Sequence, residues 1–474
     1  MTIDRWIQDG ATKHPDTCAI EFLGKRLSYK DFATQIDVAV TDLAQRGIAH
    51  GDRVAWYGLN NPRVFILLFA CARIGAIFVP LNWRLADDEI ATIVTDCSPS
   101  TVFWDDAFAQ KAQGLPIATP QGKRLEAATS DPLMIVYTSG STGAPKGVVL
   151  AQDAIIANAA MSVQAHGLTP GDTVLNVLPL FHVGGLNILP TPAFSIGATV
   201  ILHQTFDPDA MVQDLQRVQA AITVPTVLSA VLQSKIWAEA DLRSLRCLSI
   251  GSTDVPADLI DAVHHRGIPL VQIYGATETA PFAIYQTHLD AMATVGSIGR
   301  RGSCDIRLVG PDGQDQNPGE IWVRGANTLL EYWNNPAQTA ADIQDGWFKT
   351  GDVARVDTNG QYYFLDRIKH IIISGGENIY PAEIERILRD TPGISELSVV
   401  GMPDPKWGET PIVVAVASKP ITAQAILARL NGKLARYKHP SRVVFVPALP
   451  RNAMGKVVAA DVRAMLAHHD GRGA

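Results

Sequence analysis

The sequence predicts an α/β fold: a large N-terminal domain of helix-covered mixed sheets with an antiparallel β subdomain, followed by a small α+β C-terminal domain. Three observations carry this. Up to about residue 300, helix-like and strand-like patterns alternate, as they do where helices cover a parallel or mixed sheet. After Gly299 short strands and tight turns take over. From Lys369 a third character begins, in a stretch long enough for a small domain of its own. The boundaries follow as 1–368 and 369–474.

In chain order, Asp31 to Ala44 has helical spacing, Arg53 to Leu59 reads as a strand, Pro62 to Ile74 as a helix and Ile77 to Val79 as a strand. Ala198 to Leu202 and Ala221 to Val224 look like buried strands around a helix from Pro208 to Val218. Beyond Gly299, CDIRLVGPDGQ and GEIWVRG are short strands, the first ending in a Pro-Asp-Gly turn. Asn359-Gly360 stands between two strand-like runs, a hairpin signal. In the last region IKHIIISGG leads to a helix at Pro381 to Leu388. The strands SELSVVGM and PIVVAVA follow, then a helix from Ile421 to Leu434.

Composition sets the class. The chain has 474 residues, 47% hydrophobic and 18% charged, which fits a globular protein of two or more domains. A net charge of −7 gives no sign of a nucleic-acid surface. The five cysteines (Cys18, Cys71, Cys97, Cys247, Cys304) are scattered and form no CxxC pair, which speaks against a disulfide framework or a zinc site. A reducing, cytoplasmic setting is the expectation. MTIDRWIQDG has no apolar signal core. The most apolar run, Val64 to Ala72, ends at Arg73, well short of a membrane span, and reads as a buried helix.

The most specific motif is YTSGSTGAPKG, Tyr137 to Gly147. It follows the strand-like run LMIVY. Glycines let backbone N–H groups approach an anion, hydroxyls add donors, and Lys146 adds a positive charge. A phosphate-binding P-loop needs GxxxxGK[ST]. Here Val148 follows Gly147 and the lysine precedes it, so that pattern fails.

With this motif the chain resembles the adenylate-forming superfamily of acyl-CoA synthetases, luciferases and nonribosomal adenylation domains, and within it the stand-alone acyl- or aryl-CoA ligases. PLFHVGG (Pro179 to Gly185), YGATET (Tyr274 to Thr279), GEIWVRG (Gly319 to Gly325), DGWFKTGD (Asp345 to Asp352), DRIKHIIISGGENIYPAEIE (Asp366 to Glu385) and PRNAMGK (Pro450 to Lys456) occur in the family's order over almost the whole chain. The resemblance implies an ATP site in which Thr138, Ser139, Gly140, Ser141, Thr142, Gly143 and Lys146 cradle phosphates. Tyr274 with Gly275 meets the adenine, Thr277 donates to a phosphate oxygen, and Glu278 holds Mg²⁺, a cation that prefers carboxylate and phosphate oxygens. Asp352 suits the ribose diol, since a carboxylate accepts two hydroxyl donors, and Arg367 is its implied partner. Gly251 lines the adenine and acyl pocket. The neighbouring Ser252 and Thr253 depart from the family's pattern and are not carried over.

The resemblance also makes Lys456 the catalytic lysine. A carboxylate attacking a phosphate meets like-charge repulsion, which such a cation relieves. His182 is implied to position the acyl group and carboxylate without carrying a proton. Lys369 is implied as the hinge about which a mobile C-terminal domain turns. His370 departs from the acidic residue often found next. SGGENIYP resembles the loop beside the pantetheine tunnel, with Gly376 next to it.

The implied reaction is ATP-dependent joining of a carboxylic acid to coenzyme A through an acyl-adenylate. No carrier domain follows Lys456 in this sequence, so a free-standing CoA ligase is the economical expectation. An acyl-AMP ligase loading a separate carrier protein is the alternative. A P-loop ATPase and a non-catalytic binding protein compete less well. The segments expected to line the acyl pocket (182–189, 224–230, 251–255 and 272–285) contain no Lys or Arg, which disfavours diacids. Phe282 and Tyr285 could wall a slot for an aromatic, cinnamate-type acid or a medium-chain fatty acid. The expected partners are therefore a small acid and CoA, with neither nucleic acid nor a membrane span. A homodimer is left open.

Overall fold

Local signals in the sequence set several elements directly. Asn61 caps the helix Pro62–Ile74 by accepting from the Arg63 amide at 2.9 Å, Pro62 takes the first turn, and Gly75 ends it at φ +71°. Every residue from Val64 to Ala72 is buried, so this run is a core helix as expected. Ser28 caps the helix Tyr29–Gln45 in the same way, its hydroxyl accepting from the Asp31 amide at 3.0 Å. The structure, a computed structural model, describes residues 2–123, 125–139, 145–251, 255–374, 377–451 and 457–470. Among the described residues no helix is long and apolar enough to cross a membrane.

Contacts divide the chain into two compact units. One comprises Met1–Ile306, Trp322–Thr350 and Asp357–Tyr362; the other comprises Arg307–Ile321, Gly351–Val356 and Tyr363–Ala474. In the first unit the described residues form two large sheets. The nine-stranded sheet runs in the order Arg300–Arg301, Ile284–Tyr285, Leu270–Tyr274, Cys247–Gly251, Ala220–Thr223, Thr173–Asn176, Thr199–Leu202, Cys18–Phe22, Lys25–Ser28. Its centre is parallel and its edges antiparallel. The six-stranded sheet runs Glu331–Tyr332, Pro145–Ala151, Pro132–Ser139, Ile77–Leu81, Arg53–Tyr57, Thr101–Trp104. Strand Arg53–Tyr57 explains the near-continuous apolar runs. Val54 and Trp56 join one core and Ala55 and Tyr57 another, so both faces are covered.

The antiparallel region expected after Gly299 is a five-stranded sheet. Asp305–Val309, Gly319–Arg324, Trp347–Val356 and Ile343–Gln344 lie in that order, and Tyr362–Arg367 pairs with Trp347–Val356. Gly360 turns at φ +76° between the last pair, where the Asn-Gly signal placed the hairpin.

In the second unit Gly408–Ala417 is the central strand. Val413 and Ala415 pack with Ile384, Leu388 and Ile426, whereas Ile412 and Val414 pack with Leu449, Val462 and Leu466. The helix Pro381–Leu388 stands where expected. The expected helix from Ile421 to Leu434 is shorter, covering only Ala423–Ala428. From Arg429 to Asn431 the amides bond back only three residues, to Ile426, Leu427 and Ala428, so the chain tightens out of the α pattern before Gly432 turns it at φ +74°. All five cysteines are free and buried.

Candidate active site

In the parallel part of the nine-stranded sheet, Gly251 and Tyr274 end neighbouring strands, with Gly251 registered against Ile273. Open α/β sheets take their ligands at such carboxyl ends. After Tyr274 the chain folds into a tight turn, Thr277–Thr279, in which the Ala276 amide donates to the Thr279 hydroxyl at 2.9 Å. Gly275 is obligatory there, because a Cβ would run into the Pro281 carbonyl oxygen. The turn presents Thr277 and Glu278 consecutively.

Glu278 is held by a residue that sequence reasoning missed. The Tyr332 hydroxyl donates to Glu278 Oε1 at 3.0 Å, and the Leu329 amide donates to the Glu278 carbonyl at 2.8 Å. Lys146 Nζ stands 5.4 Å from the centroid of the Tyr332 ring. One buried tyrosine therefore touches both the Gly-rich motif's lysine and the acid of YGATET. Burial pushes the Glu278 carboxyl above its ordinary range. Asp342 adds to that, while the Tyr332 hydrogen bond and Lys146 oppose it. Tyr332 reaches this place because Glu331–Tyr332 pairs with Val148–Val149, just after Lys146.

The Gly-rich motif spans a hairpin. Thr138 registers against Lys146 and Ser139 against Pro145. Tyr137, at its start, is anchored by donating its hydroxyl to Asp96 Oδ2 at 2.5 Å, and the Trp333 amide donates to the Gly147 carbonyl at 2.7 Å. Gly140, Ser141, Thr142 and Gly143 lie outside the described residues, as do Ser252, Thr253, Gly376 and Lys456.

His182 stands at the N-cap position of the short helix Val183–Asn187 without a side-chain capping bond, its ring 4.5 Å from that of Phe181. Burial lowers the imidazole pKa to about 4, and the nearby Arg84 lowers it too. It is therefore a neutral imidazole at neutral pH. Arg84 is the second residue missed. Its guanidinium lies 5.2 Å from the Trp83 ring and 5.6 Å from Phe181. It lies outside every segment expected to line the acyl pocket, so no local pattern points to a cation beside His182.

In the second unit Asp352 is buried and Arg367 Nε lies 3.0 Å from its Oδ1, so the two residues do meet. Gly351, at φ +70°, donates its amide to Glu320 Oε1 at 2.9 Å. Lys369 is exposed in the short turn Ile368–His370. The strands on either side of Gly376 pair antiparallel, Ser374 with Glu377.

Glu278 suits Mg²⁺. That ion takes one or two carboxylates, keeps several waters and fills its shell from substrate phosphates. A carboxyl raised by burial is one whose ionised form a cation stabilises. Among the described residues no group of three or more acidic, His or Cys side chains competes as a metal centre.

These features define a nucleotide-handling α/β enzyme with a Gly-rich hairpin, and the comparisons agree. Residues 7–333 match the AMP-binding enzyme family and residues 383–456 its C-terminal domain. The chain belongs to the AMP-binding enzyme family. It is 43% identical over 502 aligned residues to an indoleacetate–CoA ligase of Aromatoleum aromaticum, with 98% of each chain covered. It is 38% identical to a feruloyl-CoA synthase of an Amycolatopsis species, covering 97% of this chain and 98% of that one. Among solved structures, the o-succinylbenzoate CoA synthetase of Bacillus subtilis bound to the acyl-adenylate OSB-AMP superposes with a TM-score of 0.86 at 30% identity, covering 97% of both chains. The same B. subtilis enzyme has been seen with ATP and a magnesium ion.

Proposed function

We propose that this chain is an ATP-dependent, AMP-forming ligase that joins a carboxylic acid to coenzyme A through an acyl-adenylate. The observation that carries the reading is the Lys146–Tyr332–Glu278 cluster: a cation and a metal-competent carboxylate held by one buried ring beside the Gly-rich hairpin. Near-full-length similarity to CoA ligases supports it.

In this reading Thr138, Ser139, the glycines and hydroxyls of 140–143, Lys146 and Thr277 bind the phosphates. Tyr274, Gly275 and Gly251 line the base, and Asp352 accepts the ribose hydroxyls with Arg367 beside it. Glu278 holds Mg²⁺, which when bound offsets charge on the departing pyrophosphate. The acid's carboxylate attacks the α-phosphorus and pyrophosphate leaves. Neutral His182 packs against the carboxylate and orients it. Lys456 supplies a positive charge to the crowded phosphoryl oxygens in the transition state. The CoA thiolate then attacks the acyl carbon and AMP leaves. The domains assigned to these steps are 1–368 and 369–474, hinged at Lys369, with Gly376 beside the thiol's path.

The substrate class proposed is an apolar monocarboxylate, aromatic before aliphatic. The similarity to ligases named for indoleacetate and ferulate supports the aromatic choice. A reducing, cytoplasmic setting is supported by five buried free thiols. The test is pyrophosphate release and thioester formation across a panel of acids, with and without CoA. Acyl-CoA and AMP are expected, with benzoate-, cinnamate- or indole-type acids above malonate and succinate. ADP as product, or adenylate that never passes to CoA, would overturn the reading.

A further inference from the structure

The first hairpin of the chain, Cys18–Phe22 with Lys25–Ser28, forms one end of the nine-stranded sheet. Side chains alternate between its faces. Ile20 is registered against Leu27 and Phe22 against Lys25, so these four share one face. Glu21 and Arg26 share the other, where Glu21 pairs with Arg217. The helix Tyr29–Gln45 turns one stripe toward the first face: Gln35, Val38, Ala39, Asp42 and, just past its end, Arg46.

Between the hairpin, this stripe and the start of the helix Pro62–Ile74 lies an open groove of about 840 Å³, within the size range of ligand sites. Its floor is apolar: Ile20, Leu27, Ile66, Leu67 and Phe103 belong to the main core or pack against it. On the wall Val38 is left 65% exposed. The groove is not part of the site described above. Lys25–Ser28 lies five places along the sheet from Cys247–Gly251, about 24 Å at the usual strand spacing.

The rim is cationic. Arg46 and Arg63 stand over the same Phe103 ring, 5.1 and 5.4 Å from its centroid, and Lys25 borders the groove from the hairpin. Asp42 lies 3.0 Å from Arg46 Nε, so that charge is matched. Asp105 acts on Arg63 electrostatically, but its oxygens already accept from the Leu59 amide and from Asn61. Among the described residues neither Arg63 nor Lys25 forms an ion pair. On a chain of net charge −7 this is a local positive field, which draws anions. The stripe from Gln35 to Arg46 covers about 16 Å of helix, with the two arginines at its Arg46 end. An extended apolar chain with one anionic end matches both the length and the charge.

We propose that this groove binds a free fatty-acid anion, with its chain along the Gln35–Arg46 stripe and its carboxylate between Arg46 and Arg63. Lys25 adds to the attracting field. A recess favours a single chain over a bilayer surface. A fatty acid held here is a ligand and not a substrate, and the site does not depend on the ligase reading.

The test is calorimetric titration of the full chain with dodecanoate, octanoate and dodecan-1-ol, each below its aggregation limit. Dodecanoate should show one binding event that belongs to the groove, whatever else it binds. Octanoate should bind there more than tenfold weaker, at about two- to fourfold per methylene lost. Dodecan-1-ol, without the charge, should lose about tenfold, as should dodecanoate on the double variant Arg63→Gln with Lys25→Gln. Both side chains are exposed, so that variant keeps the fold. Ala39→Trp fills the groove and should abolish the event; the double variant carries the test if Ala39→Trp does not fold. No dodecanoate binding, or binding unchanged in the double variant, would overturn the proposal. So would co-sedimentation with phosphatidylglycerol vesicles that the double variant loses while dodecanoate still binds it as it binds the wild type, since the patch would then serve a membrane.

Discussion

Tyr332 is the sharpest place to test the nucleotide site, because one hydroxyl can be removed with the ring left in place. Tyr332→Phe deletes the 3.0 Å donor to Glu278 Oε1 but retains the face over which Lys146 stands. A hydrogen bond to a charged group contributes about 1.5–3 kcal/mol, equivalent to about a ten- to hundredfold change. The Glu278 carboxyl is already raised by burial, and the lost donor had favoured its ionised form, so its pKa must rise further. The fraction ready to hold a cation falls, and falls most at low pH. The KM for magnesium-ATP should therefore increase about ten- to a hundredfold, with a larger factor at pH 6 than at pH 8. Pyrophosphate release across that range reads both quantities. Tyr332→Leu should be worse at every pH, since it also removes the ring beneath Lys146. An unchanged KM with the wild-type pH profile would refute the assignment of Glu278 and Tyr332 to one cation site.

Asp352→Ala should weaken ATP by about 2–4 kcal/mol, because a buried charged acceptor is lost; an ATP KM equal to the wild type's would remove the ribose assignment. Lys456→Ala should slow adenylate formation by a hundredfold or more, roughly 3 kcal/mol, yet barely touch acyl transfer from pre-made adenylate. Equal loss of both steps in single-turnover assays would count against a lysine dedicated to the first. Glu385 is half-buried, accepts from the Val399 amide at 2.7 Å, and has its carboxyl raised by desolvation to about 7. The folded form thus holds its proton more tightly than the unfolded chain, so this group's contribution is full below about pH 4.5 and falls by about 3 kcal/mol as pH rises to 7. Hydrogen exchange in the strand Ile394–Asp404 should show that decline, and Glu385→Gln should flatten it; identical slopes in both proteins would be the contrary result.

The features legible in the sequence have local causes. Asn61, Pro62 and Gly75 each carry a boundary signal, and the helix between them runs as predicted. The Gly-rich motif and Glu278 announce themselves by composition and order. Tyr332 does not, since it lies 54 residues from Glu278 and meets it only through strand pairing with Val148. Arg84 is similarly silent, because its place beside His182 comes from packing on Trp83 and Phe181. The overlong reading of residues 421–434 has a simpler origin. Apolar spacing continues through Leu430 and Leu434, past Ala428 where the backbone tightens to three-residue bonds.

The five buried thiols make the chain chemically quiet toward alkylating labels. Burial raises Cys97 and Cys247 to about 12 and Cys304 to about 11, and pushes Cys71 up as well, so these four hold little thiolate at neutral pH, while Cys18 is shielded by its burial. Maleimide dyes should therefore find a single engineered surface cysteine with the native five left in place. Two such sites, one in each compact unit, would make a fluorescent donor–acceptor ruler. It could follow turnover in real time without first building a cysteine-free background.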